Sequence, residues 1–434
     1  MEPREITIAG ANVVIAPESP TVTPIRTLTV AERDFKVADL PEWEKHIPKL
    51  VALLEKSIDV FPAPGEKART ITGIPEMTIQ LDPTKSGPLP IARKNRWSET
   101  ETRALNTYDD EMQKCGKLEP SMSTTCALPL LVAKPDGTMR VVFNYAPIAG
   151  RIVPYVWPLE PTDVILQKAA KWKTITSFDF PIAYHQVPLE KTCRWLTAVV
   201  FPKGLRQYTV APMGWKDSAE HLARTLSTVF DDTAIVGDNA LEESLSLFRD
   251  DGQIGSMCSD DPAEHLALLE RMLACLQRHT GSLGPSKTYM LMRYIKLLGF
   301  TCGQGKQIPD KSKVKAVENW PVPRDQSAIL GFTGFLNFFS HCIPNLAIML
   351  RPLNDLRTSK YKSTPAFLAE WNRDAKYAIA MENLKKTMAD VTGVYSFDRA
   401  RICILAADGS KQAIGAVAGH AVDPADDAHL TAET

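Results

Sequence analysis

The 434-residue sequence has no apolar run approaching the roughly 20 residues that a membrane-spanning helix requires. Its first residues, MEPREITIAG, lack the basic stretch followed by an apolar one that marks a secretory signal. Eight cysteines are present and none stands in a CxxC pair. That argues against a zinc site or a disulfide framework and points to a reducing, intracellular compartment. No internal repeat appears. Net charge is nearly absent too: 50 basic and 51 acidic residues leave −1, which at first sight speaks against a nucleic-acid partner.

What is present is an ordinary folded composition, 44% hydrophobic and 23% charged, with apolar material for several cores. The length suggests about three domain-sized units. The 32 prolines gather before residue 215 and around 309–323, where ordered extended connections are expected. The charge balance hides segregation. Residues 231–264 hold ten acids and one base, Arg249, whereas residues 271–315 hold nine bases and one acid, Asp310. An acidic block followed by a basic one fits metal binding beside a phosphate-tracking surface; it fits two oppositely charged solvated faces equally well.

Residues 1–40 show no sustained period and read as a linker or upstream remnant. Leu40 to Val60 reads as helix, with Leu50, Leu53 and Leu54 on one stripe. Residues 61–95 read as extended chain. Ser98, followed by Glu99 and Glu101, caps a helix to about Lys114. Two β-rich runs, 127–133 and 138–143, flank Lys134-Pro135-Asp136-Gly137, a hairpin signal. Strands are expected over 174–180 and 196–201, a helix over 213–229, a second hairpin over 244–256, and a helix from Pro262 to about His279. The pattern after Pro309 is helical to about Leu356, and 401–406 is again a strand. Interleaved hairpins and helices indicate an α+β fold.

The sharpest local feature is Leu247-Phe248-Arg249-Asp250-Asp251-Gly252-Gln253-Ile254-Gly255. Adjacent carboxylates at a tight turn repel unless cations neutralise them. Upstream, Phe178-Asp179-Phe180 ends another apolar strand with a single acid. If the two strands are neighbours, three carboxylates converge, an all-oxygen set suited to a pair of Mg²⁺ ions that activate a 3′-hydroxyl and stabilise a leaving pyrophosphate. A lone Asp-Asp pair is more often a solvent-exposed turn. Four other pairs compete: Asp109-Asp110, Asp231-Asp232, Asp260-Asp261 and Asp426-Asp427. Only 250–251 has a strand on both sides.

From about Leu50 onward the chain resembles the reverse transcriptases of Ty3/gypsy-type retrotransposon polyproteins. The fragments, in order, are Asp59-Val60-Phe61-Pro62, Gly116-Lys117-Leu118-Glu119-Pro120-Ser121, the run from Val132 to Arg140, and Phe178-Asp179-Phe180 with Tyr184-His185-Gln186. Pro212-Met213-Gly214-Trp215, Phe248-Arg249-Asp250-Asp251, Glu264-His265-Leu266, and Leu283-Gly284-Pro285-Ser286-Lys287 follow. Then come Leu298-Gly299-Phe300, Trp320-Pro321-Val322-Pro323, Gly331-Phe332 and Pro352-Leu353. Many weak fragments in the right order make a specific resemblance. Departures occur at Asn144, Ala146 and Ala149, at Ser218-Ala219-Glu220, and at Arg249, a cation placed to pair with Asp250 or Asp251 and compete with metal.

The resemblance implies a right-hand polymerase of fingers, palm and thumb, then a connection and a truncated RNase H-like start. The implied boundaries are 41–165 for the N-terminal segment and fingers, 166–304 for the palm with its primer-grip hairpin, 305–356 for the thumb, 357–400 for the connection and 401–434 for the RNase H-like start. Asp179, Asp250 and Asp251 would be the catalytic, metal-binding carboxylates, with the main-chain carbonyl of Phe180. Lys134 and Arg140 would hold the incoming triphosphate, Tyr184 would act as a steric gate at the sugar, and Met213 and Gly214 would complete the nucleotide site. Leu298, Gly299 and Phe300 would form the primer grip. Asp408 would be the first metal-binding acid of RNase H, the sequence stopping short of the catalytic Glu that follows. Implied cofactors are two Mg²⁺ ions, replaceable by Mn²⁺. Implied partners are an RNA or DNA template with primer, dNTPs, and the protease, RNase H and integrase of the same polyprotein, with no membrane. The implied setting is a cytoplasmic virus-like particle with a nuclear phase. Two other readings stand beside this one: an inactive retroelement remnant that keeps the fold and nucleic-acid binding, and a domesticated interaction module. Primer extension separates them.

Overall fold

The computed structural model describes residues 4–8, 11–15, 23–91, 96–133, 139–232, 235, 241, 243–257, 261–391, 393–395, 404–409 and 414–419. The chain forms two units, one made of Pro24–Ile165 and Thr174–Met292, the other of Met1–Thr23, Leu166–Lys173 and Arg293–Thr434.

The first unit is organised by a six-stranded sheet. From one edge its strands are Leu245–Phe248, Asp251–Ser256, Thr174–Asp179, Tyr289–Met292, Arg33–Ala38 and Ile25–Val30. All neighbours are antiparallel except Tyr289–Met292 with Arg33–Ala38, which run parallel. The last two strands correct the linker reading of residues 1–40. Phe35 and Val37 alternate inward and are fully buried, a period of two too short to stand out beside the charged residues around it.

The Ala263–Arg278 helix packs on the Asp251–Ser256 strand, burying Leu266, Leu269, Leu273 and Leu276. Each fully buried leucine is worth about 1.5–3 kcal/mol of transfer free energy. The same helix sets the Nε2 of buried His265 2.8 Å from the Thr176 Oγ1. Burial pushes the His265 imidazole down to about 3, so it is a neutral hydrogen-bonding partner. Leu50, Leu53 and Leu54 line the buried stripe of the Ile47–Lys56 helix as expected. Ser98 caps the Glu99–Lys114 helix in a reciprocal capping box with Glu101.

A separate hairpin pairs Leu128–Ala133 with Met139–Asn144, Leu128 facing Asn144 and Ala133 facing Met139. A three-stranded sheet is formed by Leu118–Pro120, Gly204–Tyr208 and Val199–Phe201. The strand expected over 196–201 is shorter, because Lys191–Thr197 is 3-10 helix. The helix expected from Met213 starts later, at Ser218, and runs to Phe230. The preceding residues form a turn whose Gly214 has φ +85°, a conformation that cannot open a helix.

In the second unit, Ile295–Leu297, Phe300–Gly303, Lys306–Pro309 and Val394–Tyr395 form an antiparallel sheet. The continuous helical pattern expected to Leu356 is broken into Lys311–Glu318, Gln326–Phe338 and Leu346–Asp355. Pro321 and Pro323 interrupt it. Asp310 opens the first of these helices and Asp325 the second as N-caps, accepting from the Ser312 and Ala328 N–H groups at 2.8 Å. Helices Thr364–Arg373 and Lys376–Ala389 follow. Ile404–Gly409 and Ile414–Gly419 pair as an antiparallel hairpin, later in the chain than the strand expected over 401–406.

Candidate active site

The hairpin of Leu245–Phe248 and Asp251–Ser256 closes through two residues, Arg249 and Asp250, with Phe248 opposite Asp251. Such a turn needs a left-handed residue, and here Arg249 supplies it at φ +57°. On its other side the Asp251–Ser256 strand pairs with Thr174–Asp179, placing Asp251 directly opposite Asp179. The Phe180 N–H donates to the Asp250 carbonyl at 2.9 Å. One register thus draws together residues more than seventy positions apart in sequence. That register depends on Gly252, opposite Phe178: a methyl group at residue 252 would fall inside the Phe178 ring.

Side chains directly opposite across an antiparallel pair share a face, so Asp179 and Asp251 are like charges on adjoining strands. The Asp251 carboxyl is raised above its ordinary value, first by desolvation, then by the charges of Asp250 and Asp179, with Lys287 opposing. Lys287 places its Nζ 3.0 Å from the Asp179 Oδ1. The backbone of the same loop is tied to the same residue, the Gly284 N–H donating to the Asp179 carbonyl at 2.9 Å.

Tyr184 lies in the short 3-10 turn Ala183–Gln186, entered through left-handed Ile182. Its half-buried phenol is raised by desolvation and then by Asp250, Arg249 acting the other way and Glu220 adding to the rise. Tyr184 therefore belongs to the same constellation. Gln186 does not reach out; it accepts from the Ser282 N–H at 2.9 Å and donates to the Ser282 carbonyl at 3.0 Å. Arg249 corrects the expectation of an ion pair, since its guanidinium lies 5.5 Å from the centroid of the Phe248 ring. Among the described residues it pairs with neither Asp250 nor Asp251.

Met213 and Gly214 sit on the turn before the Ser218–Phe230 helix, where a Cβ on Gly214 would stand 3.0 Å from the Phe143 carbonyl. Arg140 is exposed on the Met139–Asn144 strand, opposite Val132. Lys134 lies outside the described residues. Leu298, Gly299 and Phe300 belong to the other unit. Leu298 and Gly299 form a tight turn, both at positive φ, and Phe300 packs its ring on Phe338 and Phe339. Asp408 stands in the Ile404–Gly409 strand, opposite Gly415.

The competing acid pairs have other partners. Asp232 lies 3.0 Å from the Arg278 Nε and 3.3 Å from the His279 Nε2. Asp231 accepts from Ser227, Asp109 pairs with Arg206, and Asp110 with Lys203. Asp261 accepts from the Ala263 N–H, while Asp260, Asp426 and Asp427 lie outside the described residues. Sequence reasoning missed Lys287 and Glu220 as neighbours of the site. Lys287 was visible as one base of the 271–315 block and as the end of the Leu283–Lys287 fragment, with no role at the carboxylates attached to it.

Among the described residues no three His, Cys, Asp or Glu side chains are already closed into a metal cage. The donor set of Asp179, Asp250 and Asp251 nevertheless fits a hard divalent cation: it is all oxygen, its charges repel, and a lysine ammonium already lies against it.

The six-stranded sheet places Asp250 and Asp251 on its edge hairpin beside Asp179 on the adjoining strand, within an α+β fold of the right-hand polymerase class. Residues 134–302 match the family model described as reverse transcriptase (RNA-dependent DNA polymerase). Over that segment the chain is similar to reverse transcriptases. It is 23% identical over 384 residues to the transposon Tf2-3 and Tf2-4 polyproteins of Schizosaccharomyces pombe, covering 88% of this chain and 26% of each relative. The chain thus spans about a quarter of the length of those relatives. Its fold is similar to that of the foamy viral protease-reverse transcriptase solved with double-stranded DNA, at TM-score 0.69 and 18% identity, over 85% of this chain and 72% of that one. The same viral protein solved with an RNA/DNA hybrid matches at TM-score 0.67 and 16% identity, over 96% of this chain and 56% of that one. No helix among the described residues is long and apolar enough to cross a membrane.

Proposed function

We propose that this chain is an RNA- and DNA-directed DNA polymerase that extends a primer from dNTPs by two-metal nucleotidyl transfer. The observation that carries the proposal is the register that puts Asp251 opposite Asp179 with Asp250 at the adjoining turn. Reverse transcriptases use divalent metal ions; a bound Mg²⁺ pair, or Mn²⁺ in its place, lowers the pKa of the primer 3′-hydroxyl and offsets charge on the leaving pyrophosphate.

The protein's part is positional. Asp179, Asp250, Asp251 and the Phe180 carbonyl would hold the cations. The primer 3′-hydroxyl gives its proton to water, its oxygen forms a bond to the α-phosphorus as the bond to the bridging oxygen breaks, and pyrophosphate leaves. Lys134 and Arg140 balance the triphosphate charge, Tyr184 fills the space of a 2′-hydroxyl, and Met213 with Gly214 borders the nucleotide. Leu298, Gly299 and Phe300 would position the primer terminus. Template and primer are held chiefly through their backbones, because a polymerase must accept any sequence. The likeness to structures solved with duplex DNA and with an RNA/DNA hybrid supports this reading. The remaining partners would be the protease, RNase H and integrase of a polyprotein, in a cytoplasmic particle, with Asp408 serving the RNase H portion.

The test is Mg²⁺-dependent extension of a primed template. Wild type should extend, and Asp250→Asn should lose extension by orders of magnitude while still binding the duplex. A wild-type chain that binds primer–template without extending it under any divalent metal is instead the inactive remnant.

A further inference from the structure

We propose that Lys287 is the built-in counter-ion of the carboxylate site: its ammonium holds Asp179 in the metal-free protein and swings away when a divalent cation binds there. The inference rests on the metal-site reading above and adds to it a residue that competes with the metal.

The geometry gives the two partners unequal freedom. The Lys287 Nζ stands 3.0 Å from the Asp179 Oδ1, with the lysine side chain 68% exposed and the aspartate 14% exposed. The aspartate is fixed at the end of a central strand, and the lysine is the mobile member. Its loop is anchored independently of its side chain. The Gly284 N–H donates to the Asp179 carbonyl, and Gly284 runs so close to Asp179 that a Cβ there would lie 3.6 Å from both the carbonyl and Oδ2 oxygens. Pro285–Lys287 then makes one 3-10 turn. Releasing the ammonium thus breaks one ion pair and unpacks nothing.

The rest of the site explains why such a cation is needed. Asp179 and Asp251 oppose each other and Asp250 adjoins them, an arrangement of like charges that raises the free energy of the empty site. Arg249, the nearest alternative in sequence, is turned onto the Phe248 ring. Among the described residues, Lys287 is the only cationic side chain ion-paired with any of the three acids. A monovalent ammonium on a flexible four-carbon stem offsets part of the repulsion and yields readily to a divalent ion.

The experiment measures Mn²⁺ binding to the full chain by electron paramagnetic resonance of the free ion, with thermal melting in EDTA and in saturating Mn²⁺. Lys287→Met should bind Mn²⁺ about three- to fivefold more tightly, the scale of one exposed ion pair. It should melt lower than wild type in EDTA, with the gap closing in Mn²⁺. Lys287→Arg, which keeps the cation, should behave as wild type, and Asp179→Asn should lose binding. If Lys287→Met binds Mn²⁺ no more tightly while Asp179→Asn loses it, the counter-ion inference fails alone. If Asp179→Asn binds Mn²⁺ as wild type does, the metal-site reading fails and takes this inference with it.

Discussion

Asp251 carries its charge where the sheet opposes it. Its folded-state carboxyl is raised by desolvation and by Asp250 and Asp179. A carboxyl raised on folding contributes stability that is fully present below its unfolded value and lost as pH rises through its folded value. At neutral pH without metal, Asp251 therefore works against the fold. Asp251→Asn should raise the melting temperature in EDTA at neutral pH, and the gain should vanish below the ordinary carboxylate range. An equal gain at both pH values would show that the effect is not the charge. Arg249 adds a second local cost, since a left-handed non-glycine residue is disfavoured by about 1–2 kcal/mol. Strain and like-charge crowding within three consecutive residues mark a site shaped by chemistry rather than stability.

At the scale of an element, the hairpin is seated by a missing side chain. Gly252 lies against Phe178, and any Cβ would enter the aromatic ring, which is itself buried and cannot retreat. Gly252→Ala should cost about 1–3 kcal/mol, the usual range for overpacking, read as a lower urea midpoint, and should reduce primer extension with it. Gly334 is the control. It lies in the Gln326–Phe338 helix with nothing near its would-be Cβ, so Gly334→Ala should gain up to about 1 kcal/mol from helix propensity. If both substitutions move the midpoint the same way, the Phe178 contact is not what seats the strand.

Over the whole molecule, a net charge of −1 conceals a division of labour. The acidic 231–264 segment contains the carboxylate hairpin, and the basic segment after it supplies Lys287 and the exposed Lys311, Lys313 and Lys315 of the Lys311–Glu318 helix. Binding to primer–template should weaken steeply with salt, as counterion release requires. Replacing Lys313 and Lys315 with Glu should lower affinity and reduce the slope of log affinity against log salt by about two, if both meet phosphates. Fluorescence anisotropy over a salt series measures this, and an unchanged slope would remove that helix from the interface.

Much of the molecule was legible in the linear sequence because its signals are local. Alternation and helical period located the hairpin at 250–251, the capped helix after Ser98 and the leucine stripe of the Ala263–Arg278 helix, and the ordered run of short motifs indicated the fold class. Boundaries failed where one residue overrides a pattern. Gly214 at positive φ delays a helix to Ser218, and Pro321 with Pro323 divides another. The strands at 25–38 were missed because their two inward residues gain meaning only when the Tyr289–Met292 strand lies beside them. The site itself was half visible. Three acids on apolar strands pointed to metal chemistry, but sequence leaves strand order open, and only the tertiary pairing sets Asp179 against Asp251. Only the folded chain turns Arg249 onto Phe248 and lays Lys287 on Asp179, because ion pairs between distant segments follow from backbone placement, which no local period encodes.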